Sequence, residues 1–379
     1  MLAFASNTKF SFQNLFAVSL VLVSFFYNCS DGKNPSIVNE DDLGDKLLKN
    51  GSLKTHPDIP DLLIDENMVN MKEEWMVPLT HPIWKKGQLA FHMKDDDVVI
   101  GIIHNDQSYA LPWWIFNNYS IANIELSDEP IVICLCVMCS SAEAYNRNVN
   151  GQALNFSLEG FYKSAWFMKD KETGSYWLPF SGESFYGALK DSLLKPINTY
   201  QTTWGVWRAE HEDTKVLYDS QEKRKGHGEE EFPGRPHVEN FFEFTLAKNI
   251  PTTIPKYDMV LGIGKNDIFK AYSNKTLDKI GQVIQDTLSD GSPVVIFHKV
   301  GTILSGAFYP NIDGQNLSFS VTSGNKIIDN ETKSYWSLTG KCIAGTLKDK
   351  ELNSYFFITK EWYAWYTYHP ETEVFSEEE

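Results

Sequence analysis

Short runs of apolar and β-branched residues, separated by turn residues, dominate this chain. Val98 to His104, Ile131 to Cys136 and Val294 to Phe297 have the length and composition of strands. Asn150-Gly151 and Asp313-Gly314 read as hairpin turns, because Asn, Asp and Gly tolerate the positive φ of a type I′ turn. Alternation follows each turn, placing Leu154, Phe156 and Leu158 on one strand face and Leu317, Phe319 and Val321 on another. Helical spacing is rarer. Thr203 to Glu210 and Thr359 to Tyr368 each offer a capping Thr and a Trp pair at i, i+3 on one face. Pro112-Trp113-Trp114-Ile115-Phe116 predicts one more short helix, starting at Pro.

The pattern occurs twice. Pro130-Ile131-Val132-Ile133 resembles Pro293-Val294-Val295-Ile296, and Asn150 to Ser157 resembles Asp313 to Ser320. Lys171-Glu172-Thr173-Gly174-Ser175-Tyr176-Trp177 resembles Asn330-Glu331-Thr332-Lys333-Ser334-Tyr335-Trp336. Trp204, Trp207, His211, Asp213 and Thr214 match Trp362, Trp365, His369, Glu371 and Thr372. Ordered matches at steady spacing predict an internal duplication. The expected fold is mainly β (β-rich α+β): two related antiparallel β domains, each ending in a short Trp-containing helix. The boundaries are a signal peptide at 1–28, a tether and N-terminal arm at 29–74, a first repeat at 75–220, a charged connector at 221–250, and a second repeat with an acidic tail at 251–379.

Charge and composition narrow the function. Asp plus Glu number 50 against 34 Lys plus Arg, a net −16, which disfavours nucleic acid as a partner because phosphate contacts need clustered cations. The five Cys are too few for a disulfide-built scaffold. At the N-terminus, Leu15 to Tyr27 is an apolar run shorter than the roughly 18–20 residues of a membrane helix and suited to a signal peptide. Cys29 follows directly, and the arrangement resembles a bacterial lipoprotein signal with Cys29 as the lipidated residue. That reading places the protein in the bacterial cell envelope, partnered with the membrane through a lipid anchor. Gly262-Ile263-Gly264 is followed by Asp267 where a dinucleotide fingerprint needs Gly, and no cofactor is expected.

A set of motifs carries a family resemblance. It comprises Ile100-Gly101, Tyr109-Ala110-Leu111-Pro112-Trp113-Trp114, Cys136-Val137-Met138-Cys139-Ser140-Ser141-Ala142, the stretches Gly151 to Gly160 and Asp170 to Gly182, and Thr202-Thr203-Trp204-Gly205-Val206-Trp207 with His211-Glu212-Asp213-Thr214. Together these resemble the bacterial domain of unknown function 3179 family, some members of which are labelled selenoproteins. The resemblance covers most of 80–220, with a weaker echo over 255–376. Selenocysteine in place of cysteine among relatives implies redox chemistry. The family pattern around the cysteines is close to Cys-Pro-Leu-Cys-x-Thr-Ala; here Val137 stands at the Pro, and an additional Cys134 precedes.

The cysteine cluster is the leading candidate site. Cys136 and Cys139 have C-x-x-C spacing, compatible with a redox couple, a structural disulfide or two metal thiolates. Cys134 shares a strand face with Cys136. The repeat matches Cys134, Cys136 and Cys139 with Phe297, Lys299 and Thr302, so the scaffold does not depend on sulfur at these positions. In a redox couple Cys136 is the expected nucleophile and Cys139 the resolver; the pair needs partial exposure and a nearby cation, and Arg147 is the nearest in sequence. Glu143 works in the opposite direction, raising a thiol's pKa. Other readings are a non-enzymatic module binding a small ligand or a protein through Trp113, Trp114, Trp204, Trp207 and His211, and a metal carrier using Cys134, Cys136 and Cys139. His92, His104, His211 and Cys342 are scattered as further ligands, and Cys342 matches Ser184 in the repeat, as a packing residue would. His211 next to Asp213 reads as an acid/base pair or as a turn-holding residue, and its recurrence as His369 favours the turn.

Overall fold

The computed structural model of the chain describes residues 53–56, 59–65, 77–116, 119–136, 139–162, 165–218 and 249–376. The expected signal peptide, Cys29, the arm apart from its two short strands, the connector up to residue 248 and the last three residues lie outside the described residues.

The described chain is strand-rich, with several antiparallel sheets and a few short helices, as the apolar runs predict. A five-stranded sheet runs Thr199–Thr203, Val98–His104, Gln107–Pro112, Lys215–Tyr218, Ile83–Lys86. The later part of the chain builds a sheet in the same order: Phe356–Glu361, Met259–Lys265, Ile268–Ser273, Glu373–Val374. Each sheet holds one parallel pairing, in which the strand that follows the Trp helix returns beside an earlier one. Both hairpin turns adopt the positive φ their sequences predict, 52° and 85° at Asn150-Gly151 and 51° and 85° at Asp313-Gly314.

Matched side chains make matched contacts. Trp177 Nε1 donates to Asp170 at 2.8 Å, and Trp336 Nε1 to Asp329 at 3.0 Å. Trp207 Nε1 donates to Thr214 Oγ1 and Trp365 Nε1 to Thr372 Oγ1, each at 3.0 Å. A Cβ at Gly101 would overlap the Trp207 ring, and one at Gly262 the Trp365 ring. Glycine is therefore required wherever the helix packs its Trp flat on the central strand.

Three details differ from the sequence reading. The Trp helices are Trp204–Glu210 and Trp362–Tyr368; Thr359 to Glu361 is the end of a strand, and Thr203 makes no side-chain cap. Strand pairing claims these residues because their backbone continues a ladder with Met259 to Leu261. Val321 is exposed, since its strand stops there at the sheet's margin. The two halves also share a core: Tyr200, Trp204 and Trp207 are buried in one cluster with Leu261, Phe297, Phe308 and Phe357.

Candidate functional site: a buried disulfide beside a Glu–Lys pair

The strand Glu129–Cys136 is apolar on both sides because both sides are covered. Ile131, Ile133 and Leu135 face one core, and Val132, Cys134 and Cys136 face another. Its hairpin partner Ser141–Asn146 sets Ser141 opposite Cys136, Glu143 opposite Cys134 and Tyr145 opposite Val132. Strand alternation thus gathers two cysteines, a serine and a glutamate on one buried face.

Cys136 and Cys139 form a disulfide with Cα atoms 5.3 Å apart, whereas Cys134 remains a thiol. The half-disulfides are 1% and 0% exposed, so the partial exposure expected of a redox couple is not found. The buried cation beside Glu143 is not Arg147. Arg147 is occupied in the adjacent hairpin, donating from Nη1 to the Leu154 carbonyl at 2.9 Å. The cation is Lys360, on the strand Phe356–Glu361 of the later half, where alternation puts it on the same side as Ile358, a member of the cysteine cluster. Lys360 Nζ lies 3.6 Å from Glu143 Oε1 and 2.8 Å from the Phe180 ring centroid.

The next residue ties the two halves together. Glu361 N–H donates to the Cys139 carbonyl at 3.1 Å, and the buried Ser140 hydroxyl donates to Glu361 Oε1 at 2.8 Å.

Burial governs the electrostatics. It pushes the Glu143 carboxyl up to about 7, against the pull of Lys360 and Ser141. It brings the Lys360 ammonium down to about 7, against Glu143. The Cys134 thiol is raised well above its ordinary range, first by burial and then by Glu143, as the sequence anticipates for that glutamate, while Lys360 opposes the shift.

The corresponding place in the later half is filled with rings. Phe297 stands at the Cys134 position and pairs with Gly306, which stands at the Glu143 position. Phe297 packs on Phe308 at 5.3 Å and on Phe319 at 5.1 Å, and a Cβ at Gly306 would overlap Phe308. Thr202 of the earlier half stands where the later half has Lys360.

A family described as "Protein of unknown function (DUF3179)" matches residues 78–372. The chain belongs to this family. No curated protein and no solved structure matches it. The DUF3179 match spans both halves and includes the cysteines, Glu143 and Lys360 alike.

The other candidates lie elsewhere in this DUF3179 fold. Trp204 and Trp207 belong to the shared core and Trp113 to the core behind the cysteine strand, each 1% exposed; Trp114 is half-buried beside Trp113. His211 packs on Trp207 at 4.2 Å and its backbone holds the turn to Thr214; burial, with Lys341, lowers its pKa to about 4. Its counterpart His369 lies 4.3 Å from Trp365. Cys342 donates from Sγ to the Ala344 carbonyl, as Ser184 does from Oγ to that of Tyr186, both at 3.4 Å. Among the described residues no three His, Cys, Asp or Glu side chains converge as a ligand set. The sequence reading missed Lys360 and Glu361. Their signal is a Lys on the inward face of the apolar run Phe356-Phe357-Ile358-Thr359-Lys360, where the matched strand has Thr202.

Proposed function

We propose that this DUF3179 protein is a thiol–disulfide redox protein of the bacterial cell envelope, anchored through Cys29, with Cys136 and Cys139 as its couple. One observation carries the reading. The C-x-x-C disulfide shares its buried face with Cys134 and the Glu143–Lys360 pair, whereas the matched place in the later half is aromatic packing. We read the two halves as a duplication in which one of two matched sites, built from both copies, holds the chemistry and the other is filled with rings. A disulfide needed only for strength has no use for an adjoining buried ion pair, which costs desolvation, and strongly perturbed groups concentrate at functional sites. Cys136 is assigned as the nucleophile and Cys139 as the resolver, following the usual order in C-x-x-C pairs. The envelope assignment rests on the sequence of the first thirty residues.

Thiol labelling of the folded full-length chain, with and without a dithiol, tests this. The expected result is that two thiols are gained on reduction, that Cys139→Ser leaves a Cys136 open to mixed-disulfide formation, and that Cys136→Ser leaves a Cys139 far less reactive. If no labelling occurs until the protein unfolds, the cysteines are core and the redox assignment is wrong.

A further inference from the structure

Opening a disulfide inside an apolar cluster needs protons as well as electrons, because a thiolate left there without a proton or a cation is expensive. We propose that Glu143 and Lys360 are the proton-holding pair of the Cys136–Cys139 disulfide, Lys360 handing a proton to the sulfur that leaves and Glu143 taking one from the incoming reductant. The proposal rests on the redox reading above and gives it a proton path.

The step balances with an external dithiol as reductant. The first donor thiol gives its proton to Glu143, and its sulfur bonds to Cys136 Sγ. The Cys136–Cys139 bond breaks, its electron pair stays on Cys139 Sγ, and Lys360 supplies the proton there. The second donor thiol reprotonates Lys360, and its sulfur attacks the donor sulfur already bonded. The bond to Cys136 then breaks, Cys136 Sγ keeps the electron pair, and Glu143 returns its proton to it. Two electrons and two protons have passed to the protein, the donor leaves as a disulfide, and the pair is restored.

Geometry puts the pair on the buried side of the strand that carries Cys136. Glu143 is directly opposite Cys134 and diagonal to Cys136 on one strand face, separations of roughly 5 Å and 7–8 Å in antiparallel sheets. Lys360 enters the same cluster from the other half, and its neighbour Glu361 bonds the Cys139 carbonyl. The groups facing the pair are Cys134 and Tyr145 from the hairpin, and Tyr368 and His369 from the helix Trp362–Tyr368 and its cap; of these, Glu143 raises Tyr145 and Tyr368 further, and Lys360 lowers His369 further. Both tyrosines are held neutral, first by burial. At the matched site around Phe297, Gly306 of the later half and Thr202 of the earlier half stand at the two positions, so the carboxylate, the ammonium and the disulfide meet at one of the two matched sites and all three are missing from the other. Both members of the pair titrate near 7, where each can give and take a proton.

The test is the rate at which dithiothreitol opens the disulfide in the folded full-length chain, per total donor thiol, from about pH 5.5 to about 8.5, scored by alkylation. The wild type is expected to show a bell centred near pH 7, the acid limb from Glu143 and the alkaline limb from Lys360. Glu143→Gln should fall at the optimum to the rate that donor thiolate alone supports, and Lys360→Met should lose the alkaline limb. The double variant should show no bell, rising only with the donor's thiolate fraction, and be about a hundredfold slower at pH 7. Where a single variant fails to fold, the double variant carries the test, because it leaves no unpaired buried charge. A wild-type profile that only follows donor thiolate, or a double variant with the wild-type rate and bell, overturns the proton pair while the redox reading stands. Absence of any opening in the folded wild type removes both.

Discussion

Glu143 and Lys360 are costly residues to bury, and the cost has a pH signature. The folded pKa of Glu143 is raised from 4.5 to about 7, so its stabilising neutral form is fully favoured below 4.5 and that contribution is lost as pH rises through about 7. That of Lys360 is lowered from 10.5 to about 7, so its contribution is present above 10.5 and lost as pH falls through about 7. The two penalties overlap most near neutrality. In urea unfolding, Lys360→Met alone should destabilise by about 3–5 kcal/mol, whereas Glu143→Gln with Lys360→Met should be neutral or stabilising by about 1–4 kcal/mol. The double variant's advantage should be largest near pH 7 and shrink toward either extreme. Equal losses in the single and double variants would show that the pair is not coupled. Asp329 behaves in the opposite way. Burial raises its carboxyl, but donors from Trp336, Thr332 and Ser334 outweigh that and hold it below 3.8. Its stabilisation is present above 3.8 and fades as the pH falls below it. Asp329→Ala is expected to cost about 2–3 kcal/mol at neutral pH, read from the urea midpoint, because it strands four donors, those of Ser334 and Trp336 buried.

At the level of elements, the contact that recurs is a Trp laid across a glycine. Gly101→Ala and Gly262→Ala each force a methyl group into an indole ring, so each should destabilise by about 1–3 kcal/mol, by similar amounts in the two halves. A loss in only one half, measured by thermal melting, would mean that the two contacts are not equivalent. The Cys139–Ser140 turn is held by the Ser140–Glu361 hydrogen bond across the halves. Ser140→Ala is expected to speed opening of the disulfide by roughly the tenfold that about 1.4 kcal/mol of a lost hydrogen bond represents; an unchanged rate at equal donor concentration would show that the turn does not limit access. Much of this level was readable in sequence. Strands, hairpin turns and Trp helices follow from local spacing and turn chemistry, and Gly101 and Gly262 stand at matching positions. Strand-versus-helix at Thr359 to Glu361 was not readable, because the backbone partner that decides it is Met259 to Leu261, far along the chain.

On the scale of the whole molecule, the two halves are joined at the site itself. Glu143 and Ser140 come from one and Lys360 and Glu361 from the other, so neither half alone contains the cluster. This is why sequence located the sulfurs but not their cation: Arg147 is nearest along the chain, and only packing brings Lys360 to Glu143. Comparing the halves also separates what the scaffold requires from what it carries, since the Trp–Asp and Trp–Thr bonds occur twice and the cysteines once. The most direct measurement is a redox titration of the folded full-length chain in graded dithiol buffers, reading the Cys136–Cys139 state by alkylation mass and the fold by circular dichroism in the same samples. A reversible transition confined to those two sulfurs, with the β signal unchanged throughout, is the result the account predicts. A disulfide that opens only as the β signal disappears would contradict it.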